Sequence, residues 1–138
     1  MSEDVHRILE ENTLRKTDIR RRVLTAFTQV DHALSQGQLE EMLGDADRVT
    51  LYRTLRTFEE KGIVHVAYDG QNDTKYALCQ DDCHPGHHAD EHVHFYCIAC
   101  GKTYCLEHSE VPPVTVPDGF SIQAASFFVQ GTCDACAA

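Results

Sequence analysis

The chemistry of this 138-residue chain starts from seven cysteines and nine histidines. Cys97-x-x-Cys100 and Cys133-x-x-Cys136 each set two thiols a short turn apart. That separation suits two vertices of a tetrahedron around zinc, and four sulfurs leave no position open for a substrate, so the implied site is structural rather than catalytic. The 32 residues between the two pairs exceed the spacing of short zinc ribbons, so the metal is expected to tie together two ends of a small domain. Two disulfides, or four unrelated buried thiols, form the competing reading. No apolar segment follows Met1, which points to a cytoplasmic chain. A reducing compartment keeps paired thiols available for metal.

A second set of ligand types lies upstream. In a strand, residues two apart share a face, so the imidazoles of His92 and His94 can reach one ion. His65 and Cys79 stand at the start and end of an expected hairpin, whose geometry brings its ends together. One thiolate and three imidazoles suit zinc and are tolerable for iron(II) or cobalt(II). His65 and Cys79 belong to the front half of the chain, His92 and His94 to the rear. An ion held by all four would fix the angle between the halves. His84, His87 and His88 read as a solvated tract, with metal binding as the alternative. Cys83 and Cys105 are spare thiols that can bind metal, sense oxidant or do neither.

The elements that must position these ligands follow from charge and periodicity. Net charge is −10, which by itself argues against nucleic acid, but the cations are concentrated: 11 of the 12 lysines and arginines precede residue 79. The spacing of Val5, Ile8 and Leu9 predicts a helix over 3–12. A second helix is expected over 17–29, capped by Thr17 or Asp18, with Val23, Leu24 and Phe27 as its apolar stripe. Arg20, Arg21 and Arg22 crowd its first turns, where cations oppose the helix dipole. A phosphate would explain them, as would a solvated face. Ser35-Gln36-Gly37-Gln38 has the form of a capping box opening a short helix. Asp47 caps a strong helix over 48–61, which Gly62 ends. Leu51, Leu55 and Phe58 must face the core, leaving Val49, Tyr52, Arg53, Arg56 and Thr57 on the opposite arc.

A short helix, a turn and a second helix with arginine and tyrosine outside is the helix-turn-helix arrangement, and Tyr52, Arg53 and Arg56 are its candidate contacts to phosphate or base edges. Strands expected over 63–68 and 74–78, joined by the turn cluster Asp69-Gly70-Gln71-Asn72-Asp73, form the wing of a winged helix. The acidic, histidine-rich stretch that follows reads as a hinge. The division is therefore a DNA-binding domain over 1–79, a hinge over 80–91, and a metal-binding domain over 92–138. In the last, strands are expected over 93–97 and 102–105, joined by the first cysteine turn. A further strand is expected over 120–129, with Ile122, Phe127, Phe128 and Val129 for a core. So short a domain buries little by itself; zinc and a partner subunit would supply the rest.

Thr50-Leu51-Tyr52-Arg53-Thr54-Leu55, His92-x-His94-x-x-Cys97-x-x-Cys100-Gly101 and the terminal Cys133-x-x-Cys136 together resemble the ferric uptake regulator family of bacterial metal-dependent repressors, over nearly the whole chain. The resemblance implies an α+β protein: an N-terminal winged helix and a C-terminal dimerisation domain. It implies a homodimer that binds a palindromic operator in double-stranded DNA and represses metal-uptake genes. Tyr52, Arg53 and Arg20 would contact DNA; Cys97, Cys100, Cys133 and Cys136 would hold structural zinc. Zinc-uptake regulators carry a cysteine where Cys79 stands, which favours zinc over iron as co-repressor. Val93 and Ala125 stand where other branches carry an acid and a histidine. His32 is one place from a histidine common in the family. A thiol-based redox sensor or enzyme, and a winged-helix regulator with structural zinc alone, are the alternatives. No Cys-x-x-Cys opens a helix after a strand, as a thioredoxin-like enzyme requires, so a non-enzymatic regulator is expected.

Overall fold

A computed structural model describes residues 2–78, 93–106, 112–123 and 125–137. Helix α1 (Ser2–Glu11) and helix α2 (Asp18–Thr28) open the chain. The Thr17 hydroxyl accepts from the Arg20 N–H and caps α2. Helix α3 (Gln36–Leu43) begins on a complete capping box: Ser35 Oγ accepts from the Gln38 N–H at 3.1 Å, and Gln38 Oε1 accepts from the Ser35 N–H at 2.9 Å. Helix α4 (Arg48–Glu60) starts on Asp47, whose carboxylate accepts from the Thr50 N–H at 2.9 Å. Gly62, just past its end, has φ +75°, the left-handed conformation that glycine adopts without a Cβ penalty.

Strand β1 (Leu34–Ser35), β2 (Val64–Ala67) and β3 (Lys75–Leu78) form one sheet in the order β1-β3-β2, antiparallel throughout. β2 and β3 are the expected hairpin. The two-residue β1 is too short to announce itself by alternation and exists through its pairing with β3. One apolar cluster, from Val5 to Tyr76, unites the helices with this sheet. Leu51, Leu55 and Phe58 are completely buried in it, as their i, i+4, i+7 spacing requires. At about 25 cal/mol per Å2 of buried apolar surface, this cluster is the main source of stability among the described residues.

The rear half has a second sheet in the order β5-β4-β6, from β4 (Val93–Cys97), β5 (Thr103–Leu106) and β6 (Phe127–Gly131). β4 and β5 are antiparallel; β4 and β6 are parallel. A parallel pair needs a crossover of a dozen or more residues, and the stretch between β5 and β6 provides it. The expected strand over 120–129 is corrected: only its end is a strand, which continues to Gly131. Ile122, Phe128 and Val129, expected in a core, are exposed. β6 is an edge strand of this sheet. A short four-residue helix, α5 (Asp134–Ala137), ends the description. No helix among the described residues is long and apolar enough to cross a membrane.

Candidate metal centres and nucleic-acid interface

The parallel pairing explains how two cysteine pairs with 32 residues between them meet. β4 and β6 run in the same direction with Cys97 opposite Gly131. Both cysteine turns therefore leave the same end of the sheet. Cys97, Cys100, Cys133 and Cys136 converge with their sulfurs within 4.8 Å of one another. Cys100 Sγ and Cys133 Sγ are 3.9 Å apart, close to the edge of about 3.8 Å that zinc–sulfur bonds of about 2.3 Å set in a tetrahedron. The N–H groups of Cys133 and Cys100 point at Cys97 Sγ from 3.4 and 3.5 Å, and these donors bring the Cys97 thiol down to about 6. Hydrogen bonding to the thiols of Cys133, Cys97 and Cys100 pushes Cys136 up to about 12. Four adjacent sulfurs cannot all ionise against one another, whereas a divalent cation stabilises all four as thiolates. The donor set fits zinc with no open coordination position. These thiols are not in disulfides.

A second cluster lies where the two sheets face each other: His65 on β2, His94 on β4 and Cys105 on β5. Their ligand atoms lie within 4.8 Å of one another. Cys105 Sγ is 3.7 Å from His65 Nε2, and the two imidazole centroids are 5.6 Å apart. Both histidines are buried. Two imidazoles and a thiol fit a borderline-soft ion such as zinc, with bonds of about 2.0–2.3 Å. Cys79 and His92, the other two ligands expected from the sequence, lie outside the described residues, as do Cys83, His84, His87 and His88. The structure thus joins His65 to His94 across the two halves and adds Cys105, read from sequence as a spare thiol that can bind metal, sense oxidant or do neither.

A signal for Cys105 was present in the chain. The cysteine turn is closed by the Cys97 N–H donating to Lys102 O. Counting outward from that pair gives Tyr96 opposite Thr103 and His94 opposite Cys105. Directly opposed residues share a face of the sheet, so His94 fixes Cys105 as its neighbour. His32 also belongs to this region. It lines a cavity of about 350 Å3 with Asp31, Ala33, Leu78 and Cys105, and its Nδ1–H donates to Ala33 O at 3.0 Å.

On the far side, α4 exposes Val49, Tyr52, Arg53 and Arg56. Of the three arginines at the start of α2, Arg22 has a structural task that needs no phosphate. It donates to Leu43 O at 2.6 Å and to Asp45 Oδ1 at 2.7 Å, stapling α2 to the turn before α4. Arg21 lies 3.9 Å from Asp18. Arg20 donates to Arg15 O at 3.1 Å.

These features define a winged-helix protein with two side-chain clusters that could hold metal, in and against a small rear sheet. Residues 11–115 match the family model described as the ferric uptake regulator family, and the chain belongs to that family. The ferric uptake regulation protein of Staphylococcus aureus is 27% identical over 139 residues, covering 96% of each chain. A solved zinc uptake regulator complexed with zinc and DNA superposes with a TM-score of 0.64 at 22% identity, covering 99% of this chain and 92% of that one. The ferric uptake regulator of Helicobacter pylori, described as having three functional metal-binding sites, gives 0.58 at 14% identity, covering 100% of this chain and 95% of that one.

Proposed function

We propose that this chain is a metal-responsive transcriptional repressor in which zinc is the co-repressor and the genes controlled serve metal uptake. One observation carries the reading: His65 of the wing sheet and His94 and Cys105 of the rear sheet lie close enough to share an ion. Such an ion favours one angle between the halves. A ligand shifts a two-state equilibrium only by its differential affinity for the two states, and moving from mostly open to mostly closed takes about 5.5 kcal/mol. A site whose ligands come from both halves binds the closed state preferentially. Cys79 or His92 completes the coordination. The thiol favours zinc over iron(II), which is the second choice.

The division into a DNA-binding domain over 1–79, a hinge over 80–91 and a dimerisation domain over 92–138 is part of the proposal. Cys97, Cys100, Cys133 and Cys136 hold structural zinc. Tyr52, Arg53 and Arg56 read a palindromic operator from the exposed face of α4, with Arg20 contributing a backbone contact. The exposed apolar side chains of β6 and the preceding segment support a homodimer. The protein works in the cytoplasm and catalyses no reaction.

The test begins by selecting operator DNA from random duplexes on the zinc-loaded protein. Binding is then titrated with zinc, iron(II) and manganese(II) at buffered free concentrations, the iron arm anaerobically. Operator binding is expected to rise at the lowest free zinc. Binding indifferent to all three metals, with the four-cysteine site loaded, overturns the sensor reading in favour of a regulator with structural zinc alone.

A further inference from the structure

The face of the β4–β5 ribbon that carries His94 and Cys105 has a second rung. Residues two apart on a strand share a face, so Tyr96 and Thr103, the next opposed pair but one, face the wing as well. What they meet there is a buried ion pair. Lys75 Nζ, at the start of β3, donates to Asp69 Oδ2 at 2.8 Å, to Thr103 Oγ1 at 3.1 Å and to Gly101 O at 3.3 Å. Thr103 Oγ1 in turn donates to Asp69 Oδ2 at 2.6 Å. The Lys75 ammonium also lies 4.9 Å from the centroid of the Tyr96 ring. The side chains of Asp69 and Lys75 are only 2% and 9% exposed. All three ammonium hydrogens have an acceptor.

Two further contacts join the same regions. The Ala33 N–H, just before β1, donates to Thr103 O at 2.7 Å. The Phe128 ring of β6 lies against Gly70, where an added Cβ would stand 2.6 Å from Phe128 Cζ. Gly70 has φ +78°, so the wing turn needs glycine for its backbone and for the ring.

A lysine in the wing of a DNA-binding domain would ordinarily be counted as a phosphate contact. Lys75 is not available for that: its charge is buried and its hydrogens are spent on Asp69 and the rear sheet. Burying both charges is costly unless the geometry is fully satisfied, and the network meets that condition only while Thr103 and Gly101 of the rear sheet supply acceptors.

We propose that Asp69, Lys75 and Thr103 are positioning residues that latch the wing to the rear sheet without metal, one rung beyond the His65–His94–Cys105 cluster. The wing hairpin is then held at two points, its strand by the ion and its turn by the latch. The latch keeps part of the metal-free population in the closed arrangement. Because apparent affinity scales with the fraction of competent protein, the latch lowers the free metal needed for operator binding. This consequence rests on the metal-responsive reading; the latch itself does not.

The discriminating variant is Thr103→Val in the full chain. It keeps the volume of the side chain and the Lys75–Asp69 pair, and removes the hydroxyl that joins them to the rear sheet. The zinc midpoint for binding the selected operator is expected to rise about tenfold, the order of effect of losing hydrogen bonds to charged groups. The four-cysteine zinc content is expected to stay unchanged, and Thr103→Ser to restore the wild-type midpoint. Hydrogen exchange on protein stripped of hinge metal, with structural zinc retained, supplies an independent reading. Amides of the wing turn are expected to be protected in the wild type and to exchange faster in Thr103→Val. Wild-type wing amides that exchange freely without hinge metal overturn the latch, as does a Thr103→Val protein with unchanged exchange and midpoint. Should Thr103→Val not fold, the wild-type exchange measurement decides alone. If operator binding is indifferent to metal while wing exchange responds to Thr103→Val, the sensor reading fails and the latch stands.

Discussion

Cys105 illustrates how one side chain changes the chemistry of a site. Its sulfur is 3.7 Å from His65 Nε2, and its strand partner is His94. A thiolate there makes the cluster softer than an all-oxygen and nitrogen set, which favours zinc. Thr103, two residues earlier, is confined to hydrogen bonding. Cys105→Ser is expected to weaken hinge-metal binding by about a hundredfold, since removing even a supporting partner of a metal ligand costs about 10–100-fold. The measurement is cobalt(II) titration followed by its thiolate charge-transfer absorption, with the four-cysteine zinc left in place. A second residue-scale expectation concerns acid. Burial pushes the Asp69 carboxyl up, but the hydrogen bonds from Lys75, Thr103 and the Gln71 N–H, with the Lys75 charge, outweigh it and hold the pKa below the ordinary carboxylate value. A depressed carboxylate stabilises the fold above its unfolded pKa of about 3.9 and loses that contribution as pH falls through the lower folded value. Wild type and Asp69→Asn are therefore expected to differ in melting temperature at pH 7 and to converge once pH has fallen through the lowered folded value.

At the scale of elements, α4 divides its two jobs by face. Leu51, Thr54, Leu55 and Phe58 are buried, while Tyr52, Arg53 and Arg56 stand outside. Its start is fixed by the Asp47 cap and, on the side of α2, by Arg22 stapled to Leu43 O and Asp45. The outer arginines therefore project from a helix whose register cannot slide. Arg53→Ala is expected to leave the melting temperature within a degree or two, since exposed substitutions usually change stability by less than about 0.5 kcal/mol. It should weaken operator binding. If Arg53 meets phosphate, the slope of log K against log salt falls by about 1; if it reads guanine, affinity falls by about 1–3 kcal/mol at one operator position. Fluorescence anisotropy over a salt series separates the two.

For the whole molecule, the front half holds the apolar cluster and nearly all the cations, and the rear half holds the two Cys-x-x-Cys pairs. The rear half buries few side chains: Val93, His94, Cys97, Thr103 and Cys133 are its buried members among the described residues. A metal at the four cysteines would therefore supply much of the rear half's folding free energy. Removing it with a strong chelator is expected to abolish the rear half's protection from proteolysis while the front half stays folded. Limited proteolysis with mass spectrometry checks this, with an intact front fragment starting near the N-terminus as the expected product. Uniform digestion of the whole chain would mean that the front half depends on the rear for stability, and survival of the rear half would mean that the metal is dispensable. The net charge of −10 is expected to keep non-specific DNA binding weak, leaving the arginines of the front half to carry most of the salt dependence.

What the chain determined by itself is local. Asp47, Ser35 and Gly62 mark helix ends because their side chains, or the lack of one, answer the unsatisfied groups there. Leu51, Leu55 and Phe58 mark a buried face because 3.6-residue periodicity is written in the sequence. Paired Cys-x-x-Cys spacing announces a four-sulfur site because each pair is a local turn. The rest required partners distant in sequence. β1 exists only against β3, and Phe128 of β6, expected in the core of its own domain, lies instead against Gly70 of the wing. The parallel register of β4 and β6 brings the cysteine pairs to one end of a sheet, and the antiparallel register of β4 and β5 sets Cys105 beside His94. Nothing in the local sequence marks Lys75 as a buried cation. Only the approach of the rear sheet, with Thr103 and Gly101 as acceptors, made it a buried one, because a charge can leave water only where the fold has assembled its replacements.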